Sequence, residues 1–205
     1  MRTNSLLGRR LRQRVFFIAL IVMFLGLGHS HCLHADEPEF QNLFNGKDLE
    51  GWKGNDALWS VAEGTIIGQT TDAAPIAANT FLVWQGGEVA DFEFRCRVRF
   101  KGVNSGVQYR SNYVNEEPFA LAGYQADLHP RVDYMAMMYS EKTGRGIIAT
   151  GGNRVIVSAE GETKTVDSLV PLKNLIATDW NELRIVAVGN RMIHQLNGVT
   201  VVDVT

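Results

Sequence analysis

From Asp91 to Phe100 the chain alternates apolar and charged residues without a break: Phe92, Phe94, Cys96, Val98 and Phe100 fall on one side, and Glu93, Arg95, Arg97 and Arg99 on the other. A side-chain period of two is that of a β-strand, so the segment predicts a sheet with one face packed and the other in water. The arginine stripe then belongs to a wet sheet face. The same period recurs at Trp59 to Ala62, Gly64 to Gln69, Phe81 to Trp84, Ser105 to Ser111, Tyr124 to Leu128, Tyr134 to Tyr139, Ile147 to Ala149, Asn153 to Ser158 and Trp180 to Val188. Gly, Asn and Pro punctuate these runs at short spacing. No long amphipathic helix is evident, and Val170 to Thr178 has room for a short helical turn. The pattern predicts an all-β fold, a two-sheet antiparallel β-sandwich or jelly roll.

The sharpest local signal is Asn197-Gly198, set between Arg191 to Leu196 and Val199 to Val204. Both residue types tolerate positive φ, as a two-residue hairpin turn requires. An unbroken register from that turn pairs Leu196 with Val199, His194 with Val201 and Met192 with Asp203. His194 and Asp203 then become diagonal neighbours on one face.

The first 35 residues read as an export signal. Arg2, Arg9, Arg10, Arg12 and Arg14 precede an apolar run from Val15 to Leu27, and small Ala35 suits a cleavage site. That run is short for a membrane span. Bulky His31 before Cys32 argues against lipidation, and the residues after Arg9-Arg10 favour the general secretion route over a twin-arginine one. Cleavage near Ala35 would leave a periplasmic or secreted domain of residues 36–205. It would carry 15 basic and 22 acidic residues, a net charge of −7. Such a balance argues against a nucleic-acid partner or an anionic membrane surface, both of which need clustered Lys and Arg. Cys96 alone remains, so the domain holds no internal disulfide, and its place on an alternating strand reads as a small buried hydrophobe.

There is no Gly-rich phosphate loop, no His-Glu-x-x-His, no Gly-x-Ser-x-Gly and no Cys-x-x-Cys. No nucleotide cofactor is therefore expected. What remains is polar residues inside strands. Gln108 and Arg110 should share one side with Val107 and Tyr109 on the other, and Gln125 and Asp127 should share a face opposite Tyr124. An open sandwich face can use such groups to bind hydroxyls; a solvated face carrying ordinary ion pairs is the plainer account of the same pattern. His129 precedes Pro130 and reads as an exposed loop imidazole. His194 alternates with Met192 and Leu196, where a hydrogen-bonded core histidine competes with a base or ligand oriented by Asp203. Glu141, Lys142 and Arg145 flank a Thr143-Gly144 turn, either a charged hairpin tip or the rim of a pocket. Trp52, Trp59, Trp84 and Trp180 read as core anchors.

Several stretches, in order from about Phe40, resemble the 3-keto-disaccharide hydrolase family. They are Leu43 to Trp52, Trp59-Ser60-Val61, Asp91 to Arg95, Asn104 to Ser111, Gly123-Tyr124-Gln125-Ala126-Asp127, and Trp180-Asn181-Glu182 through His194 to Val199. The resemblance implies a concanavalin A-like or laminin-G-like jelly roll. It also implies enzymatic cleavage of glycosides already oxidised at C3 by a separate oxidoreductase. A C3 ketone acidifies the C2 proton, so a modest base can remove it and the C1 aglycone leaves by elimination; hydration of the resulting glycal makes the net reaction a hydrolysis. Such a site needs a base, an electrophile for the enolate oxygen and an acid for the leaving group. Carried onto this chain, the resemblance implies His194, Asp127 and Glu141 as catalytic residues and Gln108, Arg110, Tyr124 and Arg145 as substrate contacts. A divalent metal ion, held by His194, Glu141 and Asp127, is a further expectation. Family members continue with another strand or two where this chain stops at Thr205, which implies a domain lacking its last strands or an unpaired sheet edge. A non-catalytic carbohydrate-binding lectin-like module is the alternative function, since the architecture alone does not decide between them.

Overall fold

The computed structural model describes residues 40–173 and 175–205. The leader, Cys32 and the cleavage point near Ala35 lie outside the described residues. Among those residues there is no helix. In chain order the strands are β1 (Trp52–Lys53), β2 (Trp59–Ala62), β3 (Thr65–Gly68), β4 (Val83–Trp84), β5 (Phe92–Val98), β6 (Ser105–Asn115) and β7 (Ala120–Leu128). They continue as β8 (Met138–Glu141), β9 (Gly146–Ala149), β10 (Asn153–Val157), β11 (Thr163–Ser168), β12 (Asn181–Val188), β13 (Arg191–Leu196) and β14 (Val199–Val204).

Two sheets make an all-β sandwich of jelly-roll type. One has six strands in the order β11-β10-β14-β13-β12-β5, the other four in the order β6-β7-β8-β9. Small pairs β1-β4 and β2-β3 precede them. All pairings are antiparallel except β10 with β14, which run parallel. The last strand, β14, therefore lies inside its sheet between β10 and β13, and the edges fall at β11 and β5.

Alternation builds the core as the sequence suggests. Leu183, Ile185 and Ala187 of β12 are fully buried and share the core with Phe92, Phe94 and Cys96 of β5 and with Tyr109, Ala126 and Met138 of the facing sheet. Each fully buried Leu or Ile contributes roughly 1.5–3 kcal/mol. Burial pushes the Cys96 thiol up to about 12, which leaves it an unreactive packing group. Outside the core, Glu93 takes Arg184 through two hydrogen bonds, which hold its carboxyl down at about 2.

Some segments depart from the sequence reading. Tyr134 to Tyr139 is not one strand, because Met135, Ala136, Met137 and Met138 are all buried in succession. The Arg131 carbonyl accepts from the amides of Tyr134 and Met135, and Ala136 sits at a φ of 59°, so a turn precedes β8. Apolar runs buried on all sides carry no period that separates turn from strand. In its described residues Val170 to Thr178 is an irregular strap from which Leu172 and Leu175 pack on the core, ending in a single turn in which the Asp179 amide donates to the Ile176 carbonyl at 3.0 Å. Strand β11 is exposed throughout and shows no alternation to read. Trp180 is 39% exposed rather than a core anchor, with the Arg97 and Arg99 guanidiniums 5.3 and 4.8 Å from its ring centroid.

The Asn197-Gly198 turn forms with φ of 50° and 77°, and Leu196 pairs with Val199 as predicted. A bulge then inserts Val201, so His194 pairs with Val202, Ile193 with Asp203 and Met192 with Val204. One extra residue in a strand reverses every face beyond it. Asp203 is thereby sent to the outer side, away from His194, where Arg191 bonds it at 2.8 Å through Nε and Nη2 and Arg154 at 2.9 Å. Those guanidiniums, Arg191 first, hold its carboxyl below the usual range.

A second bulge sits in β6, where pairing passes from Tyr109↔Tyr124 to Asn112↔Ala122. Arg110 takes a φ of 46° there. Gly123 across the ladder has a φ of 155°, and a Cβ on it would stand 2.2 Å from Ser111 Oγ and 2.7 Å from the Arg110 carbonyl. Gly123→Ala is expected to cost about 2–4 kcal/mol from overpacking and φ strain. That corresponds to a Tm roughly 5–15 °C lower, measurable by differential scanning calorimetry; an unchanged Tm would show that the bulge is not held by this contact.

Candidate active site

Tyr124, Ala126 and Leu128 of β7 turn into the core, which leaves Gln125 and Asp127 on the outer face of the four-stranded sheet. Register extends that face across three strands. Gln108 of β6 is paired with Gln125 and Gly106 with Asp127, while Tyr139 of β8 is paired with Gln125 and Glu141 with Gly123. Gly106 makes room for this arrangement, because a Cβ there would stand 2.5 Å from Gln125 Cγ.

Asp127 is 1% exposed. Its Oδ1 accepts from Gln125 Nε2 at 2.6 Å, and its Oδ2 from Asn104 Nδ2 at 3.2 Å. Burial pushes its carboxyl up; the two amides and the nearby His129 oppose this, and Glu141 adds a like charge. A carboxylate kept desolvated is a stronger base than one in water. Asn104 itself lies in an exposed loop. Glu141 Oε2 accepts from Asn79 Nδ2 at 3.2 Å. With one residue pair between them, the Asp127 and Glu141 backbones stand about 13 Å apart along the strand. Beside them, both polar atoms of the Gln108 amide are buried without a protein partner. An unpaired buried amide costs about 1–3 kcal/mol, and a site kept at that cost is a place for a ligand oxygen.

The residues expected in one site are thus divided among three places. Gln108, Asp127 and Glu141 share the outer face. Arg110, carried off that face by the bulge, is not available as an open substrate contact: its Nη2 lies 2.8 Å from the Ala90 carbonyl and 3.2 Å from Asp91 Oδ1, and its Nη1 2.6 Å from the Gly189 carbonyl. Tyr124 and Arg145 meet at 3.4 Å, hydroxyl to Nη1, and line with Arg110 a crevice of about 190 Å³ at the margin between the sheets. This is the opposite side of the sheet from Asp127.

His194 lies in the core, fully buried. Its Nδ1 is 2.8 Å from the Ala136 carbonyl and its Nε2 2.8 Å from the Tyr109 hydroxyl. A carbonyl only accepts, so Nδ1 carries the proton and Tyr109 donates to Nε2. Burial lowers the imidazole to about 4, and it stays neutral. The expectation of a base or ligand at His194 gives way to the other reading, a core histidine joining the sheets. The metal set goes with it. His194, Asp127 and Glu141 do not converge, and among the described residues no three His, Cys, Asp or Glu side chains are grouped to hold a metal ion. The Asp127 oxygens already accept from amides, so these residues do not fit the ion.

Asn104 and Asn79 bond the two carboxylates without having been given a role by the sequence, and Gln125 reads there only as one of several polar strand residues. For Gln125 the signal was present in its shared face with Asp127; Asn79 and Asn104 come from loops, whose placement no period reveals.

A crystal structure of a protein from Parabacteroides distasonis ATCC 8503, provisionally named a glycosyl hydrolase, is similar at 20% identity and a TM-score of 0.47, with 80% of this chain and 71% of that one covered. A search among curated proteins returned no match. The family described as the 3-keto-alpha-glucoside-1,2-lyase-like domain matches residues 39–205. That span includes both sheets and every outer-face residue described above, and the chain belongs to this family.

Proposed function

We propose that this chain is an enzyme that cleaves C3-oxidised glycosides by elimination, with Asp127 as the base. Asp127 takes the proton from C2, and the electron pair moves onto the C3 oxygen as an enolate. The enolate collapses to a C1–C2 double bond as the C1–O bond breaks, and Asp127 returns the proton it took to the departing oxygen on the neighbouring carbon. Water adding across the double bond returns the 3-keto sugar, so the net reaction is hydrolysis. The Gln108 amide supplies the hydrogen bond that the enolate oxygen needs, and such donors act most strongly where charge develops in a dry site. The observation that carries the reading is a buried, amide-braced carboxylate beside an unpartnered buried amide on one sheet face. Its substrate has to be supplied by a separate oxidoreductase acting on the C3 hydroxyl, and the proposed setting is the periplasm or the exterior.

Gln108→Leu tests this in two directions at once. Replacing an unpaired buried amide by an apolar side chain of similar bulk should raise the Tm. Loss of an enolate donor should lower turnover of a 3-keto-disaccharide about a hundredfold, read as free sugar and 2-hydroxy-3-keto-glycal by product analysis. Unchanged turnover in the variant would overturn the assignment. Saturable binding of unoxidised glycans with no turnover by the unmodified protein would instead establish a carbohydrate-binding module.

A further inference from the structure

We infer that His129 is a substrate-binding residue of the same face, donating a hydrogen bond from Nε2 to a substrate oxygen just beyond Asp127. The inference rests on the reading of Asp127 as the centre of the site. Leu128 turns into the core, so Asp127 and His129 are successive outward positions, about 7 Å apart along the chain. They are close enough that a charged imidazole at 129 would favour the ionised carboxylate of Asp127. The ring is held in place by its own turn. Nδ1 accepts from the Arg131 backbone N–H at 3.0 Å, and the ring meets Tyr134 edge to face, centroids 5.1 Å apart. Arg131 lies over the Tyr134 ring at 4.4 Å and reaches Asp133 at 3.6 Å.

The bond at Nδ1 decides the tautomer. A ring nitrogen that accepts a backbone N–H has no proton of its own, so in the neutral imidazole Nε2 is the donor. Among the described residues nothing accepts from it. The result is a half-buried donor of fixed orientation on the face where a sugar would lie, with Gln108 and His129 on either side of Asp127. Sugar hydroxyls and carbonyls, rich in lone pairs, are the oxygens such a donor takes.

The experiment compares His129→Phe, which keeps the ring contact with Tyr134 but removes the donor, with His129→Gln, whose Nε2 replaces it. The Phe variant should show a KM for a 3-keto-disaccharide raised about tenfold with kcat unchanged, the loss of one neutral hydrogen bond. The Gln variant should stay within about threefold of the unmodified enzyme; both variants lose the acceptor of the exposed Arg131 N–H, which turns to water, so the Tm should fall only slightly and by a similar amount in the two. In parallel, the 15N signal of His129 Nε2 is followed as the same 3-keto-disaccharide is added to Asp127→Asn protein, which has no base. Movement of that signal supports the inference even where the unmodified protein shows no turnover, an outcome that overturns only the proposed reaction. Turnover with an unchanged KM in His129→Phe and a static Nε2 signal would overturn the role of His129 and leave the reaction standing. Absence of any binding would overturn both.

Discussion

Asp127→Asn should lower turnover of a 3-keto-disaccharide by about a thousandfold, the usual contribution of a positioned general base, with little change in KM. The substitution is nearly isosteric. Asn keeps an oxygen for Gln125 Nε2, and Asn104, exposed in its loop, can turn its amide. Loss of activity therefore cannot be ascribed to unfolding. Burial raises the Asp127 carboxyl above its unfolded value, so the fold loses stability as pH rises through that range and the carboxylate is forced to ionise. The Asn variant should accordingly be as stable as the unmodified protein in acid and more stable at neutral pH. A variant that keeps its turnover, or one less stable at pH 7, would remove Asp127 from the role of buried base.

The second large effect is on stability. His194→Ala should cost at least about 3 kcal/mol, because it leaves a cavity between the sheets and strands the Tyr109 hydroxyl and Ala136 carbonyl. Tyr109 is itself held well above the ordinary phenol range by burial, so it cannot answer by ionising. The pH dependence identifies the cause. The folded imidazole titrates at about 4 against 6.5 in its ordinary state, so the unfolded chain takes up the proton first. Stability is full above about pH 6.5 and falls as the pH drops toward 4, by about 3 kcal/mol in all. Glu93 and Asp203 also lose stabilisation in acid, but from carboxylate values lowered further still, and Asp127 acts in the opposite sense. Urea denaturation between pH 4 and 8 should show the slope between pH 6.5 and 4 in the unmodified protein and its loss in His194→Ala. An equal slope in both would mean that His194 is not buried as a neutral group.

Where the sequence reading succeeded, a period of two or a turn dipeptide carried it. The Asp91 to Phe100 alternation became β5, and Asn197-Gly198 became the hairpin of β13 and β14. Gln108 and Asp127 could be placed on a sheet face because polar residues at alternate strand positions have to face something other than a core, whereas Glu141 reads as a turn tip or pocket rim and gains its role only from the family resemblance. The reading failed at two single residues. Val201 is an ordinary valine inside an apolar run, and Arg110 is a non-glycine at positive φ; neither announces a bulge. Yet each reverses the faces of the strand beyond it, and these slips took Asp203 from His194 and Arg110 from Gln108. The contrast between the two histidines has a similar cause. His194 sits in a recognisable strand and looked chemical, while His129 comes just after a strand and looked idle; what separates them is which side of a sheet each meets.

The alternation of side chains by itself determined that this protein is an all-β sandwich, because local patterns reflect the two-residue geometry of a strand and the dihedral tolerance of Asn and Gly. The ordered motifs determined its family. Only the tertiary structure decided which of the expected residues stand together, because a face is a property of pairing register, and register is set by bulges and by what packs across the sheet. The same packing decided that one histidine is sealed in the core at about 4, and that a buried aspartate on the far side of the other sheet keeps its carboxyl raised. Desolvation is a sum over neighbours brought from distant parts of the chain, such as Asn104 beside Asp127 and Tyr109 beside His194, and no local stretch of sequence contains that sum.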